Sequence, residues 1–353
     1  MIFNLFKKKY GTGALIDVRP EEEKEKDCKF EETVATADPV NWVEKTEYRK
    51  FPIFNQNQSG SCVAMTLAKL LLILYWLKEQ VFIKFSATHI YQRRANKPSS
   101  GMGGIDALDI ASKGVTLEVL VPSQNMTDAQ MDAAKIEKYK QEVGEVFKMG
   151  TPIILPTKDI DTVASVIQKT GKGVMVWFYF TYSEWSRNVP EIQNHSLNPY
   201  ALTTCRHSVC AVDFTLYKGK KALIIDESWG LGSGINGQRI ITEDFFKVRN
   251  FFAVYPMNFK FEEETTPKPQ YQFNNNLEFG QINSEVVALQ DILKWFGFFP
   301  INTASTGRYY SITAKAVLGW QKKFSVENLE ELERLQGRYF GPKSRAKMNE
   351  LLE

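Results

Sequence analysis

From Val63 to Leu77 the chain runs fifteen residues with one charge, Lys69. Crossing a bilayer takes about 20 predominantly apolar residues, so this run is too short to span. It reads as a buried helix, because a helix apolar all round must be covered by protein. The chain is long enough to cover it, since 353 residues at roughly 100–200 per domain make two or three domains. At 43% hydrophobic and 24% charged, the composition excludes a disordered or fibrous chain. Lys+Arg minus Asp+Glu is 44 − 41 = +3, with no dense basic block. Nucleic acid is therefore not an expected partner, for lack of a footprint to neutralise phosphates.

The first residues place an apolar run, Met1 to Phe6, before Lys7-Lys8-Lys9, the reverse of a secretory signal. Synthesis in a cytoplasm without a signal peptide is the expectation, with no membrane span. Four cysteines (Cys28, Cys62, Cys205, Cys210) are too few and too irregular for a disulfide scaffold. Cys205 and Cys210 flank His207 but lack a CxxC or HxxxH spacing and a fourth ligand, so reduced thiols and no metal are expected.

Texture divides the chain. Residues 1–35, with the charged run Glu21 to Asp27, read as a leader or an arm on the surface. Residues 36–258 have a globular texture, helix-rich first and strand-rich later, which predicts an α+β domain of two lobes. The apolar helix begins at Cys62, a polar helix is expected over about Asp128–Lys148, and strands over 173–180, 207–214 and 221–225. Residues 259–280, charged and interrupted by Pro267 and Pro269, read as a linker. Residues 281–353 read as a small helical domain, its first helix stopping at Gly297.

The segment most informative about chemistry is Phe54 to Ala64, a polar, glycine-containing loop running straight into the apolar helix. A cysteine at a helix N-terminus feels the positive end of the dipole, which favours the thiolate, the reactive species. An imidazolium beside it stabilises that thiolate and can later protonate a leaving amine. His207, in Cys205-Arg206-His207-Ser208-Val209, lies 207 − 62 = 145 residues on. That falls within the roughly 130–150 residues that separate Cys from His in papain-like enzymes.

Asn55-Gln56-Asn57-Gln58-Ser59-Gly60-Ser61-Cys62-Val63-Ala64 resembles the N-Q-G-x-C-G-S-C-W-A motif of the papain-like (C1) cysteine peptidases. Further matches follow in order. Pro39-Val40-Asn41-Trp42 resembles the start of the mature enzymes. Gly103-Gly104, Ala107-Leu108, Gly114-Val115 and Pro122 resemble the segment after the catalytic helix, and Gly173-Val174 a strand entry. Glu227-Ser228-Trp229-Gly230 with Gly232, Gly234, Asn236 and Gly237 resembles N-S-W-G-x-x-W-G-x-x-G. The likeness covers about Pro39 to Tyr255 and implies a two-lobe papain-like fold. It implies Cys62 as nucleophile, His207 as general base and acid, and the Gln56 amide with the Cys62 backbone N–H as oxyanion donors. Trp229 would shield the histidine's orienting hydrogen bond, and Gly103 and Gly104 would line the substrate cleft.

Four departures stand out. Glu227 replaces the orienting Asn; a carboxylate can hold an imidazole, as in serine triads. Asp226 is adjacent, but strand neighbours face opposite ways, so one of the two serves, and the alignment favours Glu227. Ser59 replaces a disulfide cysteine, Val63 an aromatic residue, and the leader is shorter than the family's inhibitory propeptide, which argues against zymogen control. Asn57-Gln58-Ser59 is a glycosylation sequon in the active-site loop, a further argument against a eukaryotic secretory route.

At the other end, Glu285 to Phe299, Thr306-Gly307-Arg308-Tyr309-Tyr310, Thr313 to Gln321 and Gly337 to Ser344 resemble the peptidoglycan-binding-domain-1 family, a three-helix module. The match runs from about Ser284 to Leu352, with extra residues near 327–335. Leu289, Leu293, Ala316, Val317 and Trp320 are core, and Gln290 and Gln321 brace loops. Arg308, Tyr309 and Tyr310 are the candidate wall contacts. Together the two resemblances imply a thiol peptidase, without cofactor and monomeric, that cuts a peptide or isopeptide bond. The second module would direct it to the bacterial cell wall, as in a phage-type endolysin or a virion enzyme. A fold retained without turnover in a structural virion protein, and a processing peptidase for phage or host proteins, are the alternatives.

Overall fold

The computed structural model describes residues 11–30, 39–256, 259–261, 269–299 and 305–353. It divides into two compact units, 1–262 and 263–353.

In the first unit the chain enters through a short strand, β1 (Ala14–Leu15), and reaches helix α1 (Cys62–Glu79). Residues Cys62 to Leu74 of α1 are all buried. The only charge among them, Lys69, donates to Asp226 Oδ2 at 2.8 Å and to the Pro52 carbonyl, which is how an apolar helix accommodates a cation. Next come β2 (Met102–Gly103), α2 (Gly104–Lys113), β3 (Phe147–Met149), β4 (Pro152–Ile154) and α3 (Ile160–Thr170). The remainder is mostly sheet: β5 (Val174–Phe180), β6 (Cys205–Tyr217), β7 (Lys220–Asp226), β8 (Gln238–Thr242), helix α4 (Glu243–Arg249), β9 (Asn250–Pro256) and β10 (Phe259–Phe261).

Six strands form one antiparallel sheet in the order β4-β9-β5-β6-β7-β8. Side chains alternate across it. Met175, Trp177, Cys210, Val212, Ala222 and Ile224 join the core built on α1. Val174, Val176, Phe178, Val209, Ala211, Leu223 and Ile225 join the core built on α3. One sheet thus separates two cores, and the parity of a residue decides which one it meets until the bulge between Ala211 and Asp213, after which Phe214 joins the α3 core.

Two differences from the sequence reading have local causes. The expected polar helix over 128–148 is two short helices, Asp128–Ala133 and Lys138–Glu145, followed by β3. Ala134 is extended, and Phe147 and Met149 bury at period two in the core built on α1 rather than at helical spacing. The stretch read as linker over 259–280 is shorter, because β10 pairs with β3 at one end and Leu277 pairs with Phe340 at the other.

The second unit contains β11 (Leu277–Glu278), α5 (Ser284–Trp295), α6 (Ser311–Lys323), α7 (Leu329–Leu335), β12 (Tyr339–Phe340) and α8 (Pro342–Leu352). Its own core gathers Phe273, Leu277, Val286, Leu289, Leu293, Tyr309, Val317, Trp320, Phe340 and Met348. The extra residues near 327–335 form α7, so the described residues hold four helices where three were expected. Among the described residues no helix is long and apolar enough to cross a membrane.

Candidate active site

The loop 54–61 brings Cys62 to the first position of α1, where backbone N–H groups lack helical partners. Ser59, standing where the papain-like motif has cysteine, donates its hydroxyl to the Gln56 carbonyl at 2.7 Å and shares a 2.7 Å contact with Ser61 Oγ. Gln56 is fully buried, and Ser228 Oγ donates to its Oε1 at 2.5 Å. That bond turns the amide nitrogen the other way, toward Ser59 O at 2.7 Å and Gly11 O at 3.1 Å.

His207 lies on β6 opposite Phe178, and Glu227 follows directly on β7. His207 Nε2 and Glu227 Oε2 are 2.9 Å apart, both side chains wholly buried. Nδ1 makes no hydrogen bond at good geometry and is the nitrogen free to serve a thiol. Burial alone would lower the imidazole's pKa, but the Glu227 carboxylate and the Cys62 thiol hold it up at about 9. Burial would raise Glu227, and His207 and Arg239 hold it down at about 2. This is the electrostatic setting of a histidine that is cationic at neutral pH.

Strand parity separates the two candidate carboxylates. Asp226 faces α1, where it meets Lys69 and accepts from Gln238 Nε2 at 2.8 Å. Its pKa is raised by burial, an effect that Lys69 offsets in part. Glu227 faces the other way, to His207. Cys210 has the parity opposite to His207 and points into the α1 core, where burial pushes its thiol pKa well up.

Two residues of the site escaped the sequence reading. Glu227 Oε1 accepts from Trp185 Nε1 and from Arg239 Nε, each at 2.7 Å. Arg239 also donates to Arg187 O at 2.5 Å and Ser233 Oγ at 2.8 Å. The signal was present, since Arg239 shares a strand face with buried Ile241, an unusual parity for a charge. Trp229 stacks on the imidazole at 4.4 Å and 21°, and Trp185 meets it edge-on at 6.1 Å. The His207–Glu227 bond is thereby walled from water on two sides.

The leader does not merely wrap the surface. The Gly11 carbonyl accepts from Gln56 Nε2 and from Trp229 Nε1 at 3.0 Å, two donors that flank the Cys–His pair. Gly13 O accepts from Met102 N at 2.8 Å, and β1 pairs parallel with β2, Leu15 opposite Gly103. Any Cβ on Gly11 or Gly13 would collide with the backbone of Ser59 and Gly60, so a Gly-x-Gly segment is what fits this groove. Gly104 has a similar constraint, its missing Cβ leaving room for Trp177. The chain's own backbone thus occupies a groove lined by Gln56, Ser59, Gly60, Met102 and Trp229.

In the second unit, Gln290 ties Arg308 O, Thr313 and Gly307 N together, and Gln321 ties Tyr339 O to Ser344. Arg308 and Tyr310 are exposed. Tyr309 is not available as a wall contact; it is a core residue with no exposed surface, its hydroxyl donating to Gly337 O at 2.8 Å. Among the described residues no three His, Cys, Asp or Glu side chains gather as a metal ion would require.

No protein-family model matches the chain, and no curated protein matches it significantly. Solved structures do. Xylellain, a cysteine protease from Xylella fastidiosa, is 18% identical over 70% of this chain and 96% of its own, with a TM-score of 0.54. The digestive procathepsin L 3 of Tenebrio molitor larval midgut is 17% identical over 70% of this chain and 76% of its own, with a TM-score of 0.52. The fold is that of the papain-like cysteine proteases.

Proposed function

We propose that the protein is a papain-fold cysteine peptidase in a latent state, directed to bacterial cell wall by its second unit. The observation that supports this best is His207 set between Cys62 and a buried carboxylate, with a backbone carbonyl resting on Gln56 and Trp229. Once the arm leaves, a substrate carbonyl would take the place of Gly11 O. Cys62 Sγ attacks its carbon, and the charge that develops on oxygen is met by the Gln56 amide and the Cys62 backbone N–H. His207 gives its proton to the leaving amine, the peptide C–N bond breaks, and an acyl-thioester remains. Water, deprotonated by His207, then releases the acid. Glu227 orients the ring and stabilises its cation throughout. The reaction needs a reduced thiol and no cofactor.

The substrate we infer is a peptide or isopeptide, with wall peptides the first candidates. The support is the sequence pattern of residues 284–352 together with exposed Arg308 and Tyr310. The test is intact-protein mass after an epoxide thiol probe at neutral pH, on wild type, Cys62→Ala and the arm variant Gly13→Val. One adduct that increases in Gly13→Val and vanishes in Cys62→Ala supports the reading. No adduct in any form would favour a binding protein that keeps the fold without turnover.

A further inference from the structure

A carboxylate in place of a neutral amide changes the charge of the site, and Arg239 supplies the opposite charge. With thiolate and imidazolium formed, Cys62 and His207 sum to zero; a neutral orienting residue leaves that sum unchanged, whereas Glu227 alone would make it −1. Building on the peptidase reading above, we propose that Arg239 is a positioning residue whose buried guanidinium neutralises Glu227, so that the Cys–His pair meets a partner of net zero charge.

The geometry is specific. Arg239 is 3% exposed and its Nε points at Glu227 Oε1, the oxygen that His207 does not use. Its two terminal nitrogens donate one bond each, to Arg187 O and to Ser233 Oγ. The guanidinium lies 5.7 Å from the Trp185 ring and 6.0 Å from the Trp229 ring, the two indoles that also flank His207. Trp185 Nε1 shares Oε1, so one carboxylate oxygen is held by two donors while the other stays with histidine. Among the described residues, the charged or titratable groups meeting the Glu227 carboxylate and His207 are Cys62 from α1, His207 from β6 and Arg239 from β8, while Tyr182 lines the same cavity as Trp185, Trp229 and Arg239. Arg249 and Glu184 form a separate buried pair at 2.6 Å.

Removing the guanidinium leaves a bare carboxylate that over-stabilises the imidazolium, while removing the carboxylate leaves a bare cation that opposes it. The two single changes must therefore move His207 in opposite directions. The chain has three histidines, so imidazole NMR signals of the full-length protein can be followed through a pH titration without substrate. Arg239→Met is expected to raise the His207 midpoint by about one pH unit, and Glu227→Gln to bring it below the wild-type value by more than one. The double variant should lie between them, and Arg239→Lys close to wild type. If Arg239→Met does not fold by near-ultraviolet circular dichroism, Glu227→Gln against the double carries the same comparison. Arg239→Gln, which keeps hydrogen-bond donors without the charge, replaces either Met variant that fails.

A His207 midpoint unmoved by loss of the guanidinium in a folded protein overturns the assignment. So does Arg239→Lys behaving like Arg239→Met, which would mark a packing role. Because the titration needs no turnover, a protein with no peptidase activity that still shows the opposed shifts would fail the functional reading and keep this one.

Discussion

At the scale of single residues, the His207–Glu227 pair links activity to stability through pH. His207 is raised above its ordinary 6.5 to about 9, so its contribution is complete below about 6.5 and disappears as pH rises through 9. Glu227 is depressed to about 2, so its contribution is complete above its ordinary 4.5 and disappears as pH falls through 2. Between about 4.5 and 6.5 both are present. Urea unfolding at pH 5.5, 7.5 and 9 should show wild type losing stability over that range, with the loss much reduced in Glu227→Gln. Equal slopes for the two proteins would sink the linkage. The Lys69–Asp226 pair under α1 is a different case, buried and remote from His207 by strand parity. Lys69→Met strands a buried carboxylate and should cost about 3–5 kcal/mol, whereas Lys69→Met with Asp226→Leu should cost much less. Denaturant midpoints measure both, and a double as unstable as the single would contradict this account.

At the scale of elements, the N-terminal strand is the plug of the latent state proposed above. It is held by two donors on Gly11 O, by pairing with β2, and at its outer end by Arg19 between Asp17 and Asp27 at 2.8 and 2.6 Å. Gly13→Val adds branched carbon where only backbone clearance exists, and β1 must leave the groove. Thiol alkylation and hydrolysis of a small peptide substrate should rise about tenfold or more, equivalent to ~1.4 kcal/mol of arm binding. Unchanged rates in a folded Gly13→Val protein would show that the arm does not gate Cys62. This element marks where the sequence was legible and where it was not. The buried helix from Cys62, the strands at 174 and 207, and the strand parity that parts Asp226 from Glu227 follow from apolar period and spacing. The arm does not, because Gly11 and Gly13 act through the side chains they lack, and hydrophobic periodicity has no signal for that. Arg239 sits in between, with its parity readable but its partner set only by how β7 and β8 register, Asp226 opposite Gln238.

At the scale of the whole molecule, the chain holds two units, each with its own core. The first sets Cys62 at a helix N-terminus and a buried His207–Glu227 pair inside a papain-like fold. The second has a core centred on Trp320 and Leu289 that is complete within residues 273–352. On the function proposed above, covalent linkage of a wall-binding unit to a peptidase would raise the effective concentration of wall-bound substrate, so neither site would need to bind tightly alone. Tyr310 is 43% exposed and packs edge-on to Phe279 at 5.6 Å, and Arg308, also exposed, lies two residues before it. Residues 281–353 carry ten Lys/Arg against eight Asp/Glu, but the whole unit 263–353 is neutral at eleven against eleven, so attraction to an anionic wall would be local to Arg308. Co-sedimentation of the full-length protein with purified peptidoglycan should therefore weaken several-fold in Arg308→Ala/Tyr310→Ala and fall with added salt. Thiol reactivity of the double variant should stay at the wild-type level, since neither residue belongs to the unit that carries Cys62. Retention on peptidoglycan that is insensitive to both substitutions and to salt would separate the second unit from the wall. A peptide or protein substrate outside the wall would then be the one to seek for Cys62.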